Sequence, residues 1–299
     1  MKRSLSLTVG IPTCYGGKSL VRVIKSLRAS QELVAFQCLV VADSIPIPIS
    51  IKNELKSLLV DLTENKIPGS QISKVKQIVD QTKTDIFVFT QDDVRFTPEA
   101  LYEIQKTFIE NPEVTMVAAK ILPEPPASLF ERIIGVGLSI VTNVASTWNR
   151  GNNYLSANGR CLAFRTQHLK QMRIPDKLVN TDAYLYFENA RAGGTFMVAE
   201  KAIVYNPNPT SLSEQLRQTE RFLYSKRELT LYFGHLLDLH YRIPRQVFVR
   251  AILTTFFTNP IYFLLYVGVY LLGNLKITFF PKDLTPMWKV NLSTKLDSE

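Results

Sequence analysis

The stretch Ile86-Phe87-Val88-Phe89-Thr90-Gln91-Asp92-Asp93 decides the fold class. Its first residues are apolar and β-branched or aromatic, the composition of a strand buried on both faces. The strand runs straight into two adjacent carboxylates. Open α/β sheets bind ligands at the carboxyl ends of their strands. Hard divalent cations take carboxylate oxygens, and Mg2+ keeps positions for waters and substrate phosphates. Asp92 and Asp93 are therefore placed to hold a metal against a diphosphate. The alternative for the pair is an acidic, solvated turn.

Strand-like and helix-like segments alternate on both sides of this stretch. Residues 5–11 read as a strand, and Pro12 to Gly17 as a loop. Leu20, Val23, Ile24 and Leu27 follow at helical spacing. Residues 36–41 read as a second strand that ends at Asp43, and Pro46 and Pro48 keep 44–50 irregular. Helices are expected over 51–60 and 74–82. Thr97 is expected to cap a helix with Pro98 at its first position, stopped by Asn111-Pro112. Residues 114–121 and 161–164 read as strands. Helices are expected over 129–144, 181–192 and 211–235, the second ended by Gly193-Gly194. The alternation predicts an α/β fold with a mainly parallel sheet and helices on both faces.

Apolar residues make up 46% of the 299-residue chain and charged residues 20%, a packed globular composition with a greasy part. The net charge of +9 suits a phosphorylated substrate or an anionic membrane surface. No run of Lys and Arg is long enough for a nucleic-acid arm, so nucleic acid is not an expected partner. Cys14, Cys38 and Cys161 are far apart without metal-ligand spacing, which points to a reduced compartment. The basic start is broken by Gly10 and Pro12 and reads as a first strand rather than a signal peptide. The catalytic part is then expected in the cytoplasm.

Residues 251–275 carry no charge. As a helix they would be about 37 Å long, enough for a hydrocarbon core about 30 Å thick. Arg242, Arg245 and Arg250 precede the run, Lys276 follows it, and Pro260 lies inside it. One kinked transmembrane helix is the first expectation, a re-entrant hairpin or interfacial helix the second. The expected division is a catalytic domain over 1–240, a membrane-associated segment over 241–280 and a tail over 281–299.

Several motifs occur in a fixed order: Ile11-Pro12-Thr13, Val40-Val41-Ala42-Asp43, Gln91-Asp92-Asp93, Asn158-Gly159-Arg160 leading to Phe164-Arg165, Thr181-Asp182, and Gln218-Thr219-Glu220-Arg221-Phe222. Trp288-Lys289 and Ser293-Thr294-Lys295 lie near the end. Together they resemble the family 2 glycosyltransferases, inverting enzymes of the GT-A fold. The membrane-associated members related to cellulose and hyaluronan synthases and ceramide glucosyltransferases are the nearest in character. The resemblance covers about residues 5 to 225.

The resemblance implies transfer of a sugar from a nucleotide-diphosphate donor, UDP by preference, to a lipid or glycan acceptor at a membrane. It puts Pro12 and Thr13 around the base and makes Asp43 the acceptor for its ring N–H. Lys74 and Lys76 are candidate contacts to the base or diphosphate, or else a solvated helix face. The family's Asp-x-Asp becomes Gln91-Asp92-Asp93, with Asp93 the direct ligand of Mg2+ or Mn2+ and Asp92 the acid nearer the sugar. Asp182 matches the family's base, and a helix start keeps a carboxylate ionised; its other reading is a helix cap. Gln218, Arg221 and Phe222 share one helix face by spacing. The resemblance makes Arg221 the partner of the leaving diphosphate, a role suited to guanidinium, and gives Gln218 and Phe222 to the acceptor. Phe222 stands where the family has Trp.

Three other functions compete. A nucleotidyltransferase would need a basic, Gly-rich phosphate loop, for which only Gly16, Gly17 and Lys18 are available. A dehydrogenase would need G-x-G-x-x-G after the first strand, which is absent. A membrane-anchored nucleotide-sugar-binding protein without transferase activity is the third.

Overall fold

Two-sided apolar segments form the strands and one-sided ones the helices, and the two kinds alternate along the chain. The computed structural model describes residues 5–30 and 32–279. The first half contains β1 (Leu7–Tyr15), α1 (Lys18–Arg28), β2 (Phe36–Ile45), α2 (Ile49–Ser57), β3 (Val60–Glu64), α3 (Gln71–Gln81), β4 (Ile86–Thr90), β5 (Arg95–Phe96) and α4 (Ala100–Glu110). The second half contains β6 (Met116–Pro123), α5 (Leu129–Thr147), β7 (Cys161–Arg165), α6 (Thr166–Gln171), α7 (Thr181–Arg191), β8 (Phe196–Asn206) and α8 (Leu212–Phe233). Three further helices follow: α9 (His235–His240), α10 (Arg245–Thr258) and α11 (Pro260–Phe279).

The strands form one eight-stranded sheet in the order β3-β2-β1-β4-β7-β6-β8-β5. All five residues of β4 are buried, as its composition requires. β3, β2, β1 and β4 are parallel. β7 enters between β4 and β6 antiparallel to both, and β8 is parallel to β6. The sheet is thus more mixed than expected, yet β1, β2, β4, β6 and β8 all point their carboxyl ends to one edge. Two apolar cores flank it. One packs α1, α2 and α4 on one face, through residues such as Ile24, Leu55 and Phe108. The other packs α3, α7 and α8 on the opposite face through Ile78, Leu185 and Leu229.

Three local expectations are corrected. The helix expected over 51–60 stops at Ser57, and Leu59 turns the chain with φ 54 so that Val60–Glu64 pairs with β2 as an extra strand. β2 runs through Asp43 to Ile45, into a segment expected to be irregular. α4 starts at Ala100 with Glu99 in the cap position, and the Thr97 hydroxyl donates to the Ile203 carbonyl at 3.3 Å instead of capping.

The run 251–275 is not one kinked helix. α10 ends at Thr258, Asn259 is non-helical, and Pro260 opens α11, the first-turn position where proline costs no hydrogen bond. Both helices pack on the catalytic core. Ala251 and Thr255 of α10 are buried, and Asn143 Nδ2 of α5 donates to Thr255 Oγ1 at 3.2 Å. Tyr266 of α11 lies so close to Gly137 of α5 that any side chain there would overlap its ring. Arg132 of α5 reaches the Tyr262 ring, and Gly273 of α11 faces Leu216 and Thr219 of α8. Among the described residues one helical stretch, Leu129–Gly151, is long and apolar enough to cross a membrane; Pro260–Leu275 is shorter. Trp288-Lys289 and Ser293-Thr294-Lys295 lie outside the described residues.

Candidate active site

The carboxyl ends of β1, β2, β4, β6 and β8 converge on a cleft of about 530 Å³. Gln91, Asp92 and Asp93 leave β4 at its floor, and Pro12 and Thr13 leave β1 beside them. The Thr13 hydroxyl donates to Asp92 Oδ2 and itself accepts from the Tyr15 N–H at 3.0 Å. Asp92 is thereby buried and oriented, while Asp93 is half-buried on the cleft wall. Among the described residues no cluster of three or more His, Cys, Asp or Glu side chains could hold a metal. The oxygen donors available are the carboxylates of Asp92 and Asp93. That set fits a hard cation that draws its remaining ligands from water and a diphosphate.

Asp43 lies beneath this surface. Its Oδ2 accepts from Lys74 Nζ at 2.6 Å and from the Gly69 N–H at 2.8 Å, and its Oδ1 accepts from Ser44 Oγ at 2.9 Å. Its side chain is fully buried, so Ser44, Gly69 and Lys74, not the carboxylate, form the wall there. Lys74 and Lys76 separate, because residues two apart on a helix do not share a face. Lys74 turns in to Asp43, and Lys76 turns out to pair with Asp176 at 2.9 Å, away from the cleft. Of the two candidate donor contacts, Lys74 lines the cleft and Lys76 lies on the solvated helix face.

Asp182 enters from α7. The helix is capped by Asn180, whose Oδ1 accepts from the Ala183 N–H at 3.2 Å. Asp182 Oδ1 accepts from the same N–H at 2.9 Å, so the two side chains share the cap. Asp182 Oδ2 accepts from the Gly159 N–H at 2.9 Å, which turns its carboxylate into the cleft. Glycine eases this approach, since a Cβ at 159 would stand 3.2 Å from that oxygen, a tight contact.

Gln218, Arg221 and Phe222 of α8 line the facing wall, as their spacing predicts. Burial, reinforced by the like charge of Arg217, pushes Arg221 down to about 10. It stays cationic at neutral pH, and an anion entering the cleft would offset the cost of its partial desolvation.

Sequence reading overlooked the third wall. Ile134, Leu138 and Val141 of α5 and Tyr266 and Tyr270 of α11 form an apolar side. Asn206-Pro207-Asn208-Pro209 closes the end of β8, and Arg160 projects beside it. The alternating Asn and Pro at a strand end, and two tyrosines four apart in a charge-free run, were the available signals.

A family model described as glycosyl transferase family group 2 matches residues 86–289, more than half of the chain. The chain belongs to that family. It is a glycosyltransferase, and its sheet and flanking helices are those of the GT-A fold. No curated protein matches its sequence.

Solved structures share the fold at low identity. A mannosyltransferase from Pyrobaculum calidifontis, in complex with GDP-Man and Mn2+, is 13% identical with a TM-score of 0.54, over 94% of this chain and 77% of that one. Mannosyl-3-phosphoglycerate synthase from Rubrobacter xylanophilus is 13% identical with a TM-score of 0.54, over 74% and 72%. Glucosyl-3-phosphoglycerate synthase from Mycobacterium tuberculosis, with Mn2+ and UDP-glucose, is 13% identical with a TM-score of 0.51, over 74% and 78%.

Proposed function

We propose that this glycosyltransferase moves a sugar from a UDP-sugar, with inversion, to a lipid or glycan acceptor at a membrane surface. One observation carries the reading: Asp92 and Asp93 from β4, Asp182 from α7 and Arg221 from α8 line a single cleft. Pro12 and Thr13 flank the base. The Asp43–Lys74 pair stiffens the wall behind it. Asp93, with Asp92 beside it, would hold Mg2+ or Mn2+, which would neutralise the donor diphosphate.

Asp182 accepts the proton of the acceptor hydroxyl. The acceptor oxygen forms its bond to the anomeric carbon from the face opposite the diphosphate, as the bond from that carbon to the diphosphate oxygen breaks. Arg221 balances the charge that collects on the departing nucleotide. Gln218 and Phe222 flank the acceptor.

The apolar wall of α5 and α11 favours a lipid among the acceptors. Membrane association is supported by side chains facing solvent on α10 and α11, such as Phe257 and Ile261, which are 76% and 71% exposed. Since α11 lies along α5 and α8, the helices enter one leaflet in plane rather than spanning the bilayer.

Calorimetry of UDP binding tests the donor half. Wild type should bind UDP with Mn2+ and lose that binding to a chelator, and Asp93→Asn should bind as the chelated wild type does. UDP binding indifferent to both chelator and substitution would reject the metal site.

A further inference from the structure

Arg160 is held on several sides yet has donors to spare. It precedes β7 at the cleft, its N–H donates to Asn158 Oδ1 at 3.1 Å, and its carbonyl accepts from Thr90 Oγ1 at 2.6 Å. Its Nε donates to Asn206 Oδ1 at 2.6 Å. A guanidinium has five N–H donors and no acceptor. Among the described residues the hydrogen bonding of this one ends at Asn206, so its terminal amino groups are available to whatever fills the cleft.

The surroundings identify what that is. Asn206, the last residue of β8, is buried and pins the guanidinium plane. Asn208, two residues on, lies against Gly135 of α5, so this corner is the foot of the apolar wall. On the other side, Gly159 carries the N–H that orients Asp182. A cationic fork anchored at Nε therefore lines the same cleft as the apolar wall and the proposed base. In the proposed reading the donor diphosphate would be served by Arg221 and by a metal held by Asp92 and Asp93. Guanidinium matches phosphate oxygens two at a time, and an alkyl chain matches the α5 and α11 surface.

We infer that Arg160, oriented by Asn206, is a subsite for the phosphate of an anionic, alkyl-chained acceptor whose tail lies along α5 and α11. This deepens the acceptor half of the proposed function and rests on that reading of the cleft.

Binding of octyl phosphate, octyl glucoside and inorganic phosphate to the full chain, measured by calorimetry, tests it. A charge-assisted pair of hydrogen bonds predicts octyl phosphate binding about tenfold tighter than octyl glucoside, and burial of the octyl chain predicts it about tenfold tighter than inorganic phosphate. Arg160→Gln should erase the preference over octyl glucoside and Arg160→Lys should keep part of it, both with wild-type affinity for UDP and Mn2+.

Equal affinity for octyl phosphate and octyl glucoside would overturn the anion subsite. Equal affinity for octyl phosphate and inorganic phosphate would overturn the alkyl chain. A parallel fall in UDP affinity would hand Arg160 to the donor. If circular dichroism shows that Arg160→Gln does not fold, Arg160→Lys and the wild-type ligand series decide alone. A wild type that fails to bind UDP with Mn2+ would instead count against the donor reading, whatever octyl phosphate does.

Discussion

Two acids of one cleft, Asp182 and Asp93, have separable proposed duties. Asp182 is oriented by the Gly159 N–H through one oxygen and shares the Ala183 N–H with Asn180 through the other. Asp182→Asn keeps the side chain's size and its acceptor oxygen but cannot take a proton. Transfer should fall by about 10²–10⁴-fold while UDP affinity stays at the wild-type value. Asp93→Asn should instead lose UDP. Steady-state transfer rates and calorimetry on the same preparations make the comparison, and near-normal transfer by Asp182→Asn would leave the proton with another group. Thr13 belongs to the same scale, since its hydroxyl holds Asp92 in place.

Between elements, the proposed base and the proposed leaving-group partner are tied through Glu228. This buried residue of α8 accepts from the Val179 N–H at 2.8 Å with one oxygen and from the Asn180 N–H at 2.9 Å with the other. Asn180 caps α7, and Asp182 follows in its first turn. The loop before α7 is held from the far side as well, where Ser70 Oγ of the α3 cap donates to the Asp176 carbonyl at 2.6 Å. Glu228→Ala would strand the buried Val179 N–H and the part-buried Asn180 N–H, a buried group costing about 1–3 kcal/mol. Urea unfolding should report a loss of about 1–3 kcal/mol, and Glu228→Gln, which keeps one acceptor oxygen, a smaller one. An unchanged urea midpoint in Glu228→Ala would show that the tie carries no weight.

For the whole molecule, the apolar helices form one wall of the cleft and are the proposed membrane anchor. Leu264, Leu271 and Leu275 are more than half exposed on α11, while Tyr266 and Tyr270 of the same helix turn into the cleft. Burying one such side chain in lipid is worth about 1.5–3 kcal/mol. The chain should therefore float with anionic vesicles in a density gradient, and the combined Phe257→Glu, Ile261→Glu and Leu264→Glu variant should stay at the bottom. Flotation of that variant like wild type would move the membrane contact elsewhere. A chain cut after Tyr241 should aggregate rather than dissolve. Val144 of α5 shares a core with Ala251 of α10, and the cut would uncover it.

Local signals carried much of the design. A doubly apolar strand ending in Asp92-Asp93, a helix starting at Thr181-Asp182, and Gln218, Arg221 and Phe222 three and four apart are readable because strand and helix periods act over a few residues. The family resemblance extended that reading to an ordered set of motifs. What the tertiary structure alone decided involves partners far apart in the chain. Lys74 turned out to serve Asp43, β7 entered the sheet against its neighbours, and Arg132 met Tyr262 as α11 folded back over the cleft. Arg160 became notable only once Asn206 of β8 was beside it. Nothing in the spacing of such residues announces their meeting, because it is the burial of distant apolar faces, not the local backbone, that brings them together.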